Sequence, residues 1–335
     1  MLRYIGRRLA LLVLVLIGIA TITFFVAYLI PADPAKAAAG PNAGPAQVAS
    51  IRHQMGLDRP LLVQYAVFMG HLLQGNLGIS ILTQRPVRDM LADYLPPTIE
   101  LVLGALLIDI VIGVPIGVLM AMRSGGVTDG LSRLITSLGV GLPVFWVGLM
   151  LQIIFYGRLS WLPASGQLGI FTTPPPRVTG MYLVDAVIAR QPDVFWDALQ
   201  HIIAPAVSLS LGLLAVTARL TRTSMLEVLA QEYVRTARSK GLHWRAVIFK
   251  HALRNALLPT ITMLGLQSGF LLSGTVLVES VFSWGGLGNL LYTALQQADY
   301  PVVIAVTLVG ALTFVLANLL VDVLYVVFDP RIRYS

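Results

Sequence analysis

The chain has 335 residues, 56% of them apolar and only 12% charged, with a mean hydropathy of +0.80, whereas a soluble domain carries roughly 25% charged residues. So few polar side chains cannot cover a folded surface in water, which excludes an ordinary soluble enzyme and points to a polytopic membrane protein. Without cysteine there is no disulfide framework, thiolate metal site or thiol nucleophile, and the net charge of +7 sits in membrane flanks and loops, where it marks orientation rather than nucleic acid.

Runs of about 20 apolar residues, long enough for a helix to cross roughly 30 Å of hydrocarbon, predict six spans. They are Leu9 to Ile30, Thr98 to Met122, Leu131 to Gly157, Leu199 to Leu220, Leu257 to Val278 and Pro301 to Phe328. The first follows Arg3, Arg7 and Arg8 and precedes an Ala-x-Ala pattern at Ala35 to Ala37, as in a signal peptide, but its apolar stretch is too long for one. A retained span is expected.

With a cytoplasmic N-terminus, the segments 1–8, 123–133, 219–256 and 329–335 face the cytoplasm and hold 15 of the 23 Lys and Arg. This positive-inside asymmetry predicts that both termini are cytoplasmic. The expected domains are then 1–30, tail and first span; 31–97, an external subdomain with an amphipathic stretch at Leu61 to Leu73; 98–328, a five-helix core with a loop at 221–256; and 329–335, a cytoplasmic tail. In the external segment 158–198, Pro174 to Pro176 disfavour helix before a helical piece at Tyr182 to Ile188. Gly113, Pro115 and Gly117 interrupt the second span, Gly139, Gly141 and Pro143 the third and Pro205 the fourth. Small-xxx-small spacing at Gly113/Gly117 and Gly265/Gly269 suits close helix packing, or broken helices along a moving path.

Between spans four and five, Leu226, Leu229, Tyr233 and Ala237 recur at helical spacing among charges, predicting an amphipathic helix. Glu227 and Glu232 precede Arg235, Arg238 and Lys240, which suits the helix dipole, and Gly241 stands where a left-handed cap would end the helix. A second helix is expected from His243 through Arg254 into span five. Periodicity alone leaves this hairpin open between a basic element resting on anionic lipid and a docking element.

The residues Tyr233-Val234-Arg235-Thr236-Ala237-Arg238-Ser239-Lys240-Gly241 and His251-Ala252-Leu253-Arg254-Asn255-Ala256-Leu257 closely resemble the cytoplasmic EAA loop of the peptide and nickel branch of ABC importer permeases. Arg235-Thr236-Ala237 stands where the general motif has Glu-Ala-Ala, and Leu253-Arg254 where it has Leu-Pro; both departures are shared by that branch. The resemblance runs over nearly the whole chain, through Gly56-Leu57-Asp58-Arg59-Pro60-Leu61, Gly75-Asn76-Leu77-Gly78, Pro97 to Leu101, Gly113 to Gly117, Pro143 with Phe145 to Leu149, Glu279 to Trp284 and Asp329 to Arg333. Gly285 departs from it, since family members usually carry proline after the tryptophan.

The resemblance implies an all-α integral membrane protein of the inner (plasma) membrane, with six transmembrane helices in the type I ABC importer permease fold. It is closest to the B-type of two sibling permeases, which pair as a heterodimer. The implied partners are that sibling, two ABC ATPase subunits and an extracytoplasmic solute-binding protein, all within membrane lipid. ATP and magnesium would sit on the ATPases, with no cofactor in this chain. The coupling residues it implies are Tyr233, Arg235, Thr236, Ala237, Gly241, His251, Arg254 and Asn255. Substrates across the branch include dipeptides, oligopeptides, glutathione and nickel, with di- or oligopeptide the expected class here.

The remaining residues agree with a non-catalytic subunit. Lys36, Lys240 and Lys250 precede Ala, Gly and His, so no P-loop exists, and no histidine is followed by Glu as a zincin requires. A carboxylate in hydrocarbon is costly, so Asp109 is expected to pair helices, line a path or relay protons as in a proton-coupled secondary transporter. Asp322, beside Asn318, is expected to be a packing or interfacial residue. Gln267, Ser268, Ser273 and Thr275 are path or interhelical candidates, and Glu279 and Trp284 are expected either to meet the binding protein or, for Trp284, to anchor at the interface.

Overall fold

The computed structural model describes residues 2–29, 33–40, 43–123, 139 and 141–328. The expected cytoplasmic loop at 124–133, the start of span three and the tail 329–335 lie outside them, as do the side chains of Ser268, Ser273, Asn318 and Asp322. Among the described residues there is no strand, only an isolated bridge between Ile79 and Pro86. Among the described residues, three helical segments, Val87–Met122, Pro192–Leu229 and Tyr300–Ala317, are long and apolar enough to cross a bilayer.

The helices are α1 Leu2–Leu29, α2 Pro34–Ala39, α3 Pro45–Gln54, α4 Leu61–Leu73, α5 Val87–Ile108, α6 Val114–Met122, α7 Val144–Leu151, α8 Tyr182–Ile188, α9 Pro192–Leu229, α10 Glu232–Ser239, α11 Trp244–Ala246, α12 Leu253–Phe282, α13 Leu287–Gln296 and α14 Tyr300–Phe328. The chain divides into two compact units, one of residues 1–98 and 285–313, the other of residues 99–284 and 314–335.

In the first unit an aromatic ladder fixes α4 to α1. Phe24 stacks on Phe68 at 5.2 Å, Phe25 on Tyr65 at 5.6 Å, and the Tyr65 and Thr21 hydroxyls hydrogen-bond at 2.7 Å. A core of Val87, Met90, Leu91, Leu287, Leu290, Val302 and Val306 joins α5, α13 and α14. Two buried polar groups pin the loops: the Thr98 hydroxyl accepts from the Leu287 amide at 2.7 Å, and the Asp299 carboxylate accepts from Ser80 Oγ and the Ile81 amide.

In the second unit α9 is the hub, packing on α6, α7, α8 and α12. Its 38 residues make it about 57 Å long, so it outreaches the hydrocarbon and can carry a loop beyond it. Pro205 does not break it, and α12 likewise runs through Pro259. Of the two readings of Pro205, a packed continuous helix or a broken one, the continuous helix is what forms. Strain in the second span is taken up instead by a π-helical turn, Asp109–Gly113, just before Pro115, whose missing N–H leaves the preceding turn one donor short. Pro143, by contrast, is extended and starts α7.

Beyond a π-helical extension of α7, Gln152–Arg158, the chain up to α8 is irregular, so its backbone must be satisfied by side chains and facing carbonyls. Gln152 Nε2 donates to the Ala164 and Val281 carbonyls, and Asp197 accepts from the Gly169 amide at 2.7 Å. Glu100 accepts from the Leu183 amide at 2.7 Å and the Tyr182 amide at 3.2 Å, tying α5 to the start of α8. Asp185 is buried and accepts from the amides of Val178, Thr179 and Gly180 and from the Thr179 hydroxyl. Burial pushes this carboxyl upward, but the hydrogen bonds outweigh it, so Asp185 titrates below its ordinary 3.8. A depressed folded-state value gives stability that is present above that ordinary value and lost as pH falls through the lowered one. Asp185→Asn is expected to cost about 1–2 kcal/mol at pH 7, and progressively less as the pH falls below the ordinary carboxylate value, read by thermal unfolding in detergent.

Candidate functional site

The loop after α9 breaks at Ala230 and Gln231, and α10 follows as a separate short helix rather than a continuation. One helical stripe through Leu226, Leu229, Tyr233 and Ala237 is therefore not what forms. The break rotates α10 so that Val234 and Ala237 face inward while Tyr233 is 42% exposed. Val234 and Ala237 pack with Val247, Val228 and Leu229. A second cluster of Met225, Ile248, Ala252 and Ala256 with Val118 and Ala121 seats the returning arm of the hairpin on the ends of α6 and α9.

The turn is closed by Gly241 in the left-handed region, φ +75°, its amide donating to the Arg238 carbonyl at 2.9 Å. Nothing lies within 4 Å of the position a Cβ would take there, so the glycine serves backbone conformation, not packing. The Arg238 guanidinium sits 4.4 Å over the Trp244 ring, bracing the two arms. His243 Nδ1 accepts from the Arg245 amide and caps α11, after which a π turn, Val247–Ala252, leads into α12.

The structure brings together three of the residues singled out by sequence. Asn255 Nδ2 donates to Tyr233 Oη at 2.7 Å and to the His251 carbonyl at 3.3 Å, and Tyr233 Oη reaches the same carbonyl at 3.5 Å. Tyr233 is thus a clasp between α10 and α12 rather than part of an apolar stripe. Arg235, Thr236 and Arg254 are exposed, with the Thr236 hydroxyl bonded to its own helix at the Glu232 carbonyl. The hairpin has a dry footing and a solvent-facing surface carrying Arg235, Arg238, Lys240 and Arg254.

The intramembrane candidates lie elsewhere. Asp109 is fully buried and accepts from Thr217 Oγ1 of α9 at 2.9 Å. Gln267 is buried on α12, with no partner for Oε1 among the described residues, and Thr275 is buried. Glu279 and Trp284 are buried too, Trp284 at 1% exposure within the core of Leu101, Ile202, Leu209 and Phe282. This corrects the expectation that they meet a partner or anchor at the interface. Ser283 adopts a left-handed φ of +49° and the Trp284 amide returns to the Glu279 carbonyl, turning the indole inward. Gly285 follows at φ +40°, which proline cannot adopt, so the departure from the family pattern matches the turn made here.

Sequence reading missed Glu100 and Asp185 as anchors. Glu100 was visible only as a carboxylate at the rim of a span, and its amide donors come from more than 80 residues away. It also missed Ile170 and Phe171, which form a fully exposed apolar tip between α7 and α8, with Phe171 at 100% exposure.

Comparison with known proteins places this arrangement. Residues 113–334 match the binding-protein-dependent transport system inner membrane component, and residues 1–102 match the N-terminal part of such membrane components. The probable D,D-dipeptide transport system permease protein DdpB of Escherichia coli is 46% identical over 96% of this chain and 94% of its own length. The dipeptide transport system permease protein DppB of Escherichia coli is 41% identical, and the glutathione transport system permease protein GsiC of Salmonella paratyphi A 38%, each over 100% of both chains. The chain belongs to the family of binding-protein-dependent transport system inner membrane components, the membrane permeases of ABC importers.

Proposed function

We propose that this chain is one permease half of an ATP-driven importer of di- or oligopeptides and that the hairpin of α10 and α11 couples it to an ATPase. The observation that carries the reading is the build of the hairpin: a basic outer surface held on a packed footing that is continuous with α9 and α12. Motion imposed on the loop then passes into both helices instead of being lost in a flexible linker. Peptide as the cargo rests on the relatives named for dipeptides; glutathione, the cargo named for another relative, is itself a peptide.

In this reading the chain crosses the membrane six times with both termini cytoplasmic. Helices α1, α5 with α6, α7 with its π extension, α9, α12 and α14 overlie the six apolar runs. Residues 31–97 and the α7–α8 segment are then external, and Ile170 and Phe171 stand toward an incoming binding protein. ATP and magnesium belong to the ATPase partners, and a sibling permease supplies the other half of the path. Arg235, Arg254 and the Gly241 turn make the ATPase contact, Ala237 sets the depth of α10, and Tyr233, His251 and Asn255 hold the arms together. The Thr217 bond to Asp109 supports a helix-pairing role for that carboxylate over a proton relay.

Membrane vesicles containing this chain with its sibling, ATPases and binding protein should take up labelled dipeptide only when ATP is supplied. Uptake driven by a proton gradient without ATP would overturn the reading. Phe171→Ser is expected to reduce stimulation of ATPase activity by the loaded binding protein severalfold while leaving basal hydrolysis unchanged.

A further inference from the structure

Within the first unit lies a cavity of about 790 Å³, lined by none of the residues assigned above to coupling or to the path. Its size is that of a site for one small organic ligand, for which about 300–1,000 Å³ is usual. Two helical faces form its apolar walls, Val67, Phe68 and Leu72 on α4 and Ile304, Ala305 and Leu308 on α14, with Phe24 of α1 between them. The wall on α14 extends from Tyr300 to Leu308, about 12 Å along the helix, against about 15 Å for half the hydrocarbon thickness.

The polar part of the lining is a built turn. Gly56, at φ +67°, lets the chain double back after α3, the Leu57 amide donates to the Arg52 carbonyl at 3.0 Å, and Gln64 Nε2 holds the Leu57 and Arg59 carbonyls. The Arg59 side chain lies against Gly56, its Nε 3.6 Å from where a Cβ would stand. Arg52 is ion-paired with Asp33, and the nearby Asp58 carboxylate is taken by His53 at 2.6 Å. Arg59 therefore brings to the lining a guanidinium outside any ion pair among the described residues, with Asp58 acting on it only through space and the one carboxylate in the lining, Asp33, held by Arg52. The motif Gly56-Leu57-Asp58-Arg59-Pro60-Leu61, to which transport assigns no task, is the part of the chain that builds this corner.

We propose that the cavity holds the headgroup and one acyl chain of an anionic phospholipid, its phosphate on Arg59 and the chain between α4 and α14, with the second chain left in the bilayer. The inference rests on the external placement of residues 31–97, which puts the cavity at the outer-leaflet ends of α1 and α14. It also explains α4: this 13-residue helix, about 20 Å long and too short to span, has no buried residue, and its Val67, 42% exposed, lines the cavity that the acyl chain would fill.

The test is native mass spectrometry of the purified transport complex after delipidation and exchange with phosphatidylglycerol or phosphatidylethanolamine. The wild type is expected to retain a single phosphatidylglycerol and to prefer it over phosphatidylethanolamine. Arg59→Gln, an exposed change that leaves the packing intact, should weaken retention about fivefold. Ile304→Trp should abolish it by filling the apolar wall. Equal retention of both lipids, equal retention by wild type and Arg59→Gln, or displacement of the adduct by dipeptide would each overturn the site. Dipeptide uptake by the same wild-type preparation separates the two readings: uptake without a retained lipid refutes the lipid site alone, and a retained lipid without uptake refutes the transport reading alone.

Discussion

Gly117→Leu is expected to abolish accumulation of folded permease, and Gly117→Ala to destabilise it by about 1–3 kcal/mol despite the better helix propensity of alanine. A Cβ at this position would lie 2.6 Å from the Ala218 carbonyl oxygen and 2.6 Å from Thr221 Cβ, so α6 and α9 must move apart to admit even a methyl group. One obstacle is backbone, which no rotamer change can clear. Displacing Thr221 also strains a second helix contact, because its hydroxyl hydrogen-bonds to that of Thr260 on α12 at 3.2 Å. Gly212, on α9, is the matched control: nothing lies within 4 Å of its Cβ position, and Gly212→Ala should be neutral or stabilising by up to about 1 kcal/mol. Detergent-solubilised melting curves of the two alanine variants decide the matter. Equal melting temperatures would show that the α6–α9 approach is not limiting.

Small-residue spacing made this contact legible in the sequence, since Gly113 and Gly117 stand one turn apart on one face, but it did not show how the span bends. The notches at Gly and Pro suggested broken helices, and a proline-bearing window reads the same whether or not neighbours rescue its carbonyls. Tertiary packing around α9 decides for continuity at Pro205, while a π turn absorbs Pro115. The short elements fared well for a plain reason: α4 and α8 match the stretches Leu61 to Leu73 and Tyr182 to Ile188 because Pro and Gly punctuate both sides. Trp284 and Glu279 were misplaced because composition suggested an interfacial turn, whereas a left-handed Ser283 sends the indole into the core.

The loop was legible in its type and misread in its register. Leu226 and Leu229 end α9, and the two-residue break before α10 exchanges Tyr233 for Val234 on the inner face. Periodicity carried across a break must slip, because each non-helical residue rotates the next helix about its axis by an angle that composition does not encode. The polar clasp of Tyr233, His251 and Asn255 was unreadable for a related reason: its members are separated by 18 and 22 residues and meet only when the hairpin closes.

That register dictates the second large effect. Ala237→Glu is expected to cut ATP-dependent dipeptide uptake to about a tenth or less, because a buried carboxylate without a partner costs several kcal/mol. Ala237 is 7% exposed between Val234 and Val247, so the larger, charged side chain must lift α10 off its footing. Gly241→Pro should act as strongly by another route, since proline cannot reach φ +75° and removes the amide that closes the turn on Arg238. Both changes lie beyond the spans, so insertion and yield should hold while ATP hydrolysis loses its response to loaded binding protein. Arg235→Ala separates footing from surface: it leaves the packing untouched and should weaken ATPase retention during purification without lowering the melting temperature. Full uptake in Ala237→Glu with the subunits still associated would mean that force does not pass through this hairpin. Lost uptake with an unchanged, ATP-responsive complex would place the defect in the path rather than the coupling. The inward-facing alanine and the outward-facing arginine thus test the proposed coupling loop from opposite sides, one through its packed footing and the other through its basic surface.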